Sequence, residues 1–525
     1  MHSRQTSVIK ANCFQRRLRI AAFSARTFEK VSNREAVGRY NASGMHIGRL
    51  NTQWHSARDW IAIPLFSSLL LIPCFWQSRI QSADLSSHIY NAWFASQIHH
   101  AKAPGLWISF QSNNVLFDLM LESLFVRVGP DLAQRLAVSI SVLVFGCGAI
   151  CFIFRVAGRN WWFAAPCVAM LSYGFIFHMG FFNFYLSMGL CLWYLSIVWA
   201  SANSWQLQTM AAPLLILAWI AHPFPVVWAI GTAAYLTLAT RIPPPRRPLL
   251  LMFGLATLVT TRYIVTHRYP YSWSLDQAIF VTGANQIALF GSKYALPFAG
   301  LLLIWAFLLR SLIKRHGLAH LVSTIPFQLW MLCGAAALLI PDRVLFPQFG
   351  RPLGYIAERL SLTAAVMMCS LLAAAPTTRL LRVVLVSVTV LFFALLYTDQ
   401  RELNNMEDQM DLALSRLPSG QRVINSLPDQ SLRSLCFHHD MDRACIGHCF
   451  SYANYEPSSR QFRIHASPGN GIVLDDYADV DAVAGSRYMV QPRDLPLYFV
   501  YPCGLNFRKV CSRSLQAEES TGRPN

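Results

Sequence analysis

Charge is what this sequence is short of. Only 13% of its 525 residues are Asp, Glu, Lys or Arg, while 54% are hydrophobic and the mean hydropathy is +0.36. Soluble chains carry roughly 25% charged residues, so the composition excludes an ordinary water-soluble globular protein. Carboxylates are nearly absent from the long apolar runs. A proton- or ion-coupled carrier needs such groups along its path, and their scarcity speaks against a transporter or flippase. No early apolar stretch of signal-peptide type occurs either, because the first strong one arrives near Trp60. No basic groove interleaved with aromatics is readable, so the net charge of +18 does not imply a nucleic-acid partner.

What is present is a series of long apolar segments, among them Val138 to Phe154 and Leu381 to Tyr397. Each approaches the roughly 20 residues needed to cross a bilayer core. Spans are expected near 58–77, 131–154, 161–178, 181–201, 207–221, 224–240, 248–266, 294–310, 319–341, 359–376 and 379–397, about eleven in all. Pro223 and Pro225 separate the short fifth from the sixth, which leaves a tight or broken hairpin open there.

The basic residues then set an orientation. Lys10, Arg16, Arg17, Arg19 and Arg26 precede the first span in a segment, 1–57, that reads as disordered, with Met45 as an alternative start. A cytoplasmic N-terminus also puts Arg155, Arg159, Arg241, Arg246, Arg247, Arg310, Lys314, Arg315, Arg379 and Arg382 on the inner side, as the positive-inside bias demands. The expected fold is therefore mainly α, a polytopic helical bundle over 58–397 in a bacterial inner membrane. A small extracytoplasmic domain of α/β or β type follows over 398–525.

That last segment has ordinary soluble composition and holds Cys436, Cys445, Cys449, Cys503 and Cys511. Outside the cytoplasm such cysteines form disulfides, although spacing does not give the pairing. His438, His439, Asp440, Cys445, His448 and Cys449 make a suggestive cluster, but without a standard zinc spacing. Gly471–Leu474 and Leu497–Val500 read as strands. Phe450 to Pro457 interleaves aromatics with Glu456, and Arg460, Phe462 and Arg463 follow. Such a pattern suits a glycan or an anionic polymer, and equally an ordinary strand and turn.

The first external loop, about 78–130, is longer than a connection requires, and long ordered loops are often functional. On a helix, Asp84, His88 and Asn91 share one face at i, i+4 and i+7, beside an apolar face of Leu85, Ile89, Ala92 and Trp93. The pattern predicts an interfacial helix with its polar edge exposed. A second helix is expected after Ser112-Asn113-Asn114, with Asp118 and Glu122 one turn apart. Asp84 stands just past the first span, where a carboxylate can take a proton from an attacking hydroxyl or hold a metal near a phosphate. His88 can orient it or bind a phosphate; the competing reading makes Asp84 a helix cap. Arg343, Arg351 and Arg359 occupy a later outer loop and offer guanidinium groups that grip phosphate in a bidentate manner, or equally pair at the surface, Arg343 with Asp342 and Arg359 with Glu358, and meet lipid headgroups. Another outer loop contributes Arg268 and Lys293. Arg262, near the end of its span, is expected to snorkel. His178, Asn183 and His222 read as satisfied polar residues at span ends.

This arrangement resembles the GT-C superfamily of membrane glycosyltransferases. The points of similarity are the many spans, a first external loop with two short helices, an acid just after span one, and a soluble domain after the last span. The resemblance covers roughly residues 58–397 and is architectural. Many members carry paired acids in the first loop, whereas here Asp84 is followed by Ser86, Ser87 and His88. The resemblance implies transfer of a sugar from a lipid-linked (polyprenyl-phosphate) donor to a glycan or lipid acceptor at the outer membrane face. Asp84 would be the general base of an inverting displacement, Arg343, Arg351 or Arg359 would hold the donor phosphate, and a divalent metal stays open as cofactor. Besides the transporter, the competing reading is a non-catalytic assembly factor for envelope polysaccharide.

Overall fold

The computed structural model describes residues 57–201, 204–347, 352–425, 439–503 and 509–521. The basic N-terminal segment, the alternative start at Met45, Arg351, Cys436 and His438 lie outside these residues. Residues 63–525 form one compact unit.

The chain is mainly helical. The principal helices are α1 (Ala57–Leu71), α2 (Ala83–His99), α3 (Leu116–Ala157), α4 (Phe182–Ala200), α5 (Pro223–Arg241), α6 (Arg247–Arg268), α7 (Ala295–His316), α8 (Ile325–Leu339), α9 (Ile356–Leu372) and α10 (Arg379–Leu414). Among the described residues, six helical segments are long and apolar enough to cross a membrane: α3, α4, α5, α6 with the short turn before it, α7 with the turn before it, and α10. Shorter apolar helices cover Ala62–Cys74, Ala165–His178, Gln206–Ala221 and Ile325–Leu339.

Several boundaries differ from the sequence reading. The segment at 161–178 breaks into Ala165–Ser172 and Phe175–His178, and the one at 207–221 breaks at Ala211. His222 is extended, so the chain turns there before Pro223 opens α5. The helix expected after Asn114 runs into the second span as the single long α3, kinked where Gly129 adopts φ 76° just before Pro130. Helix α10 continues beyond Tyr397 to Leu414, because its polar C-terminal half packs under the segment that follows.

Close helix contact rests on small residues. A Cβ on Gly148 of α3 would lie 2.7 Å from the Gly189 carbonyl oxygen of α4, and one on Gly189 would lie 2.7 Å from the Phe145 amide. Absence of side chains at this crossing lets the two backbones meet, the usual means of joining apolar helices when no hydrophobic drive acts between them.

The C-terminal segment carries a four-stranded sheet in the order β5-β4-β7-β8. Strands β4 (Arg422–Asn425), β5 (Phe450–Ser451) and β7 (Leu497–Cys503) are parallel, and β8 (Lys509–Ser514) pairs antiparallel with β7. The expected strand at Leu497–Val500 lies within β7, whereas Gly471–Leu474 is irregular: Asn470 Oδ1 accepts from the Ile472 and Val473 amides, which takes them out of any ladder. Cys445 is bonded to Cys449 and Cys503 to Cys511.

This sheet does not stand apart from the first loop. Strand β1 (Leu106–Ile108) pairs antiparallel with β6 (Ile464–Ala466), Leu106 opposite Ala466. One core holds Tyr90 and Phe94 of α2, Met410 and Leu414 of α10, and Val423, Met441, Ile464 and Val500 of the C-terminal segment. Helix α2 is consequently buried between the bundle and the sheet along most of its length, which corrects the expectation of an interfacial helix with a free polar edge. Its polar face is covered as well as its apolar one.

Candidate functional site

Each polar residue of that face meets a partner from elsewhere in the chain. Asp84 stands in the first turn of α2, where the helix dipole favours a negative charge. Its amide donates to the Met179 carbonyl at 3.3 Å. Gly180 is packed so tightly here, at φ +79°, that a Cβ would lie 2.5 Å from the Asp84 amide, so only glycine allows this approach. A quarter of the Asp84 side chain is exposed, and Oδ1 lies 3.6 Å from His439 Nε2. His439 Nδ1 in turn lies 3.5 Å from Asp442 Oδ2.

One turn on, His88 Nδ1 meets Asp118 Oδ1 at 2.6 Å. Asn183 of α4 donates to Asp118 Oδ2 at 2.7 Å and accepts from the Phe117 amide at 2.8 Å. Burial opposes charging of the imidazole, but Asp118, Glu456 and Asp84 outweigh it and raise the group to about 9. Asn91 donates to Ser87 and accepts from the Asn454 amide group at 3.2 Å. Beside them stands Glu456, 5% exposed. Burial, followed by the charges of Asp118, Asp84 and Asp442, pushes its carboxyl up to about 8 against the opposing pull of His88. His88, Asn91, Asp118, Glu456, Phe462 and Arg463 line a cleft of 360 Å³, counted to its solvent-open mouth.

Beneath this lies an ionic clamp. Arg443 binds Glu407 through two bonds of 2.6 Å and also donates to the Ile80 carbonyl and to Gln134. Gln81 donates to Glu407 at 2.9 Å. The clamp holds the base of α2, α10 and the C-terminal segment together, with both carboxylate oxygens of Glu407 bound to the guanidinium.

The expected phosphate-binding cations separate into two groups. Arg343 (β3, Arg343–Val344) lies over the Tyr355 ring at 5.6 Å, and Arg359 lies over Phe181 at 4.5 Å. Tyr355 and Phe181 have ring centroids 5.4 Å apart, and Phe181 follows Gly180, which abuts Asp84. Burial pushes the Tyr355 phenol up, Arg343 acts against that, and Asp84 adds to it, so Asp84 and Arg343 share one electrostatic neighbourhood. Lys293, by contrast, is bound to Asp399 together with Tyr294. Arg268 is exposed at the end of α6 with no ion pair or side-chain hydrogen bond among the described residues. Arg262 donates to the Leu339 carbonyl at 2.6 Å and lies over Trp273 at 4.1 Å. The guanidinium thus caps the end of α8.

Among the described residues, no group of three or more His, Cys, Asp or Glu is arranged to hold a metal ion. In the suggestive Cys/His cluster, Cys445 and Cys449 are consumed by their disulfide, and His448 Nε2 lies 2.9 Å from the Leu414 carbonyl.

Sequence reading singled out Asp84, His88 and Asn91 together, but took Asn183 for a satisfied span-end residue. Its signal was present: an amide near the start of an otherwise apolar helix needs a partner in a medium without water. The meeting of Glu456 and His439 with α2 had no local signal, since more than 350 residues separate the elements. No protein-family model matches the chain, and no similar curated protein or solved structure was found.

Proposed function

We propose that the chain is an integral membrane glycosyltransferase that moves a sugar from a polyprenyl-phosphate donor to an acceptor at the outer membrane face. The observation that carries this reading is the placement of Asp84. It is a partly exposed carboxylate at a helix start, held by the close approach of Gly180 and adjoining the aromatic and cationic group of Tyr355, Arg343, Phe181 and Arg359. The basic-loop pattern supports about eleven crossings in a bacterial inner membrane, with a cytoplasmic N-terminus and an external C-terminal segment.

In the proposed displacement, Asp84 accepts the proton of an acceptor hydroxyl as its oxygen bonds to the sugar's anomeric carbon. The bond from that carbon to the donor phosphate oxygen breaks, and the phosphate leaves with the electron pair. Arg343 and Arg359 stabilise the charge that grows there. His439, 3.6 Å from Asp84, orients the carboxylate.

The test incubates purified protein with labelled polyprenyl-phosphate sugars and follows the label. Asp84→Asn is expected to lower transfer on the order of 10²–10⁴-fold, the usual worth of a general base, with membrane insertion intact. Unchanged transfer removes Asp84 from the mechanism, and absence of transfer by the wild type from every donor overturns the reading.

A further inference from the structure

The cleft between α2 and the C-terminal segment has a chemistry of its own. Its charges are already matched: His88 with Asp118, and Arg463 with Glu122 at 2.7 Å. Neither a phosphate nor a cation therefore finds an unpaired counter-charge. What remains is Glu456, 5% exposed, whose carboxyl has no hydrogen-bond partner among the described residues. A buried polar group without a partner costs free energy, and this one faces the open space of the cleft. Ala92, Ala95 and Phe462 supply an apolar wall beside it.

We propose that this cleft binds an uncharged hydroxyl-bearing ligand of the sugar class, received chiefly by Glu456 with Phe462 against the ring's apolar edge. A hydroxyl both donates and accepts, and a protonated carboxyl does the same. With its pKa raised to about 8, Glu456 is mostly protonated at pH 7. The cleft is narrow, with room for roughly one water-sized group, so a single hydroxyl enters beside Glu456 while the rest of the ligand stays at the mouth. The proposal stands apart from the transferase reading, because Asp84 does not line this cleft.

The test is saturation-transfer NMR on the purified full-length protein with the methyl glycosides of glucose, mannose, galactose and N-acetylglucosamine. At least one is expected to bind at pH 7, and inorganic phosphate is not expected to displace it. Glu456→Gln keeps a donor and an acceptor and is expected to bind within about threefold of wild type, whereas Glu456→Ala and Phe462→Ala each weaken binding about tenfold or more. Binding is read with free glycosides and no lipid-linked donor, which separates failure here from failure of the transferase reading. Absence of binding by all four glycosides, full binding by both alanine variants, or displacement by phosphate overturns the proposal.

Discussion

Helices α2 and α6 are opposites in a way that no water-soluble protein tolerates. Helix α6 is strongly apolar, yet only 6% of its most apolar stretch is buried, and Leu249, Met252, Phe253, Val259 and Ile264 point outward. Helix α2 carries Asp84, Ser86, Ser87, His88 and Asn91, and is buried along most of its length. In water the first would aggregate and the second would float free. Where the surrounding solvent is lipid the preference inverts: apolar side chains face out at no cost, and polar ones must find partners inside. The pair of helices shows that polar side chains collect inside this protein, around α2, while apolar ones line its outer face.

The sharpest way to break the contrast is to remove the clamp under α2. Arg443→Ala removes the closer of the two cations on buried Glu407 and leaves only Arg79, at 3.6 Å; breaking a buried pair costs about 3–5 kcal/mol, and the remaining cation lowers that figure. Thermal unfolding in detergent is expected to show the loss, and an unchanged midpoint would mean that α2 is held mainly by apolar contacts. Next in size is Phe94→Ala. This ring is fully buried against Tyr90, Trp93 and Phe450, and such truncations cost about 3–5 kcal/mol, discounted where the site collapses.

A pH effect of intermediate size follows from the same face. Glu456 and His88 both hold their protons more tightly in the folded chain. The His88 contribution is complete below its unfolded value near 6.5 and is lost as pH rises through about 9. Glu456 adds a penalty that begins near 4.5 and is complete above about 8. Both signs agree, so the unfolding midpoint is expected to fall between pH 6 and pH 9, and His88→Gln and Glu456→Gln should each flatten the slope. A midpoint that rises over that range contradicts the pairing of His88 with Asp118 and the burial of Glu456. The smallest effect is the control: Phe253→Ala on α6 changes stability in detergent by no more than about 0.5 kcal/mol. A loss comparable to that of Phe94→Ala would mean that α6 packs against something more than lipid.

Much of this was legible from residue order. Apolar runs located the helices because crossing a bilayer demands length and composition that local sequence records directly. The face of Asp84, His88 and Asn91 was legible because a helix repeats every 3.6 residues. Helix ends were less so: α10 overran Tyr397 and α3 absorbed a loop helix, since a kink at Gly129 lets one helix continue where composition suggests two. Arg343 and Arg359 were recognisable as candidate cations, but their stacking on Tyr355 and Phe181 depends on a packing that no spacing encodes.

The sequence by itself determined that this is a helix-dominated chain with apolar segments of membrane length and a polar face on its first loop helix. Those properties follow from composition and periodicity within a few turns of chain. Only the tertiary structure decided which way that face points. It is turned inward because β1 pairs with β6 and Arg443 reaches Glu407, and so Asp118, Asn183, His439 and Glu456 surround it. Contacts spanning hundreds of residues are set by the packing of the whole chain, and no local pattern carries them.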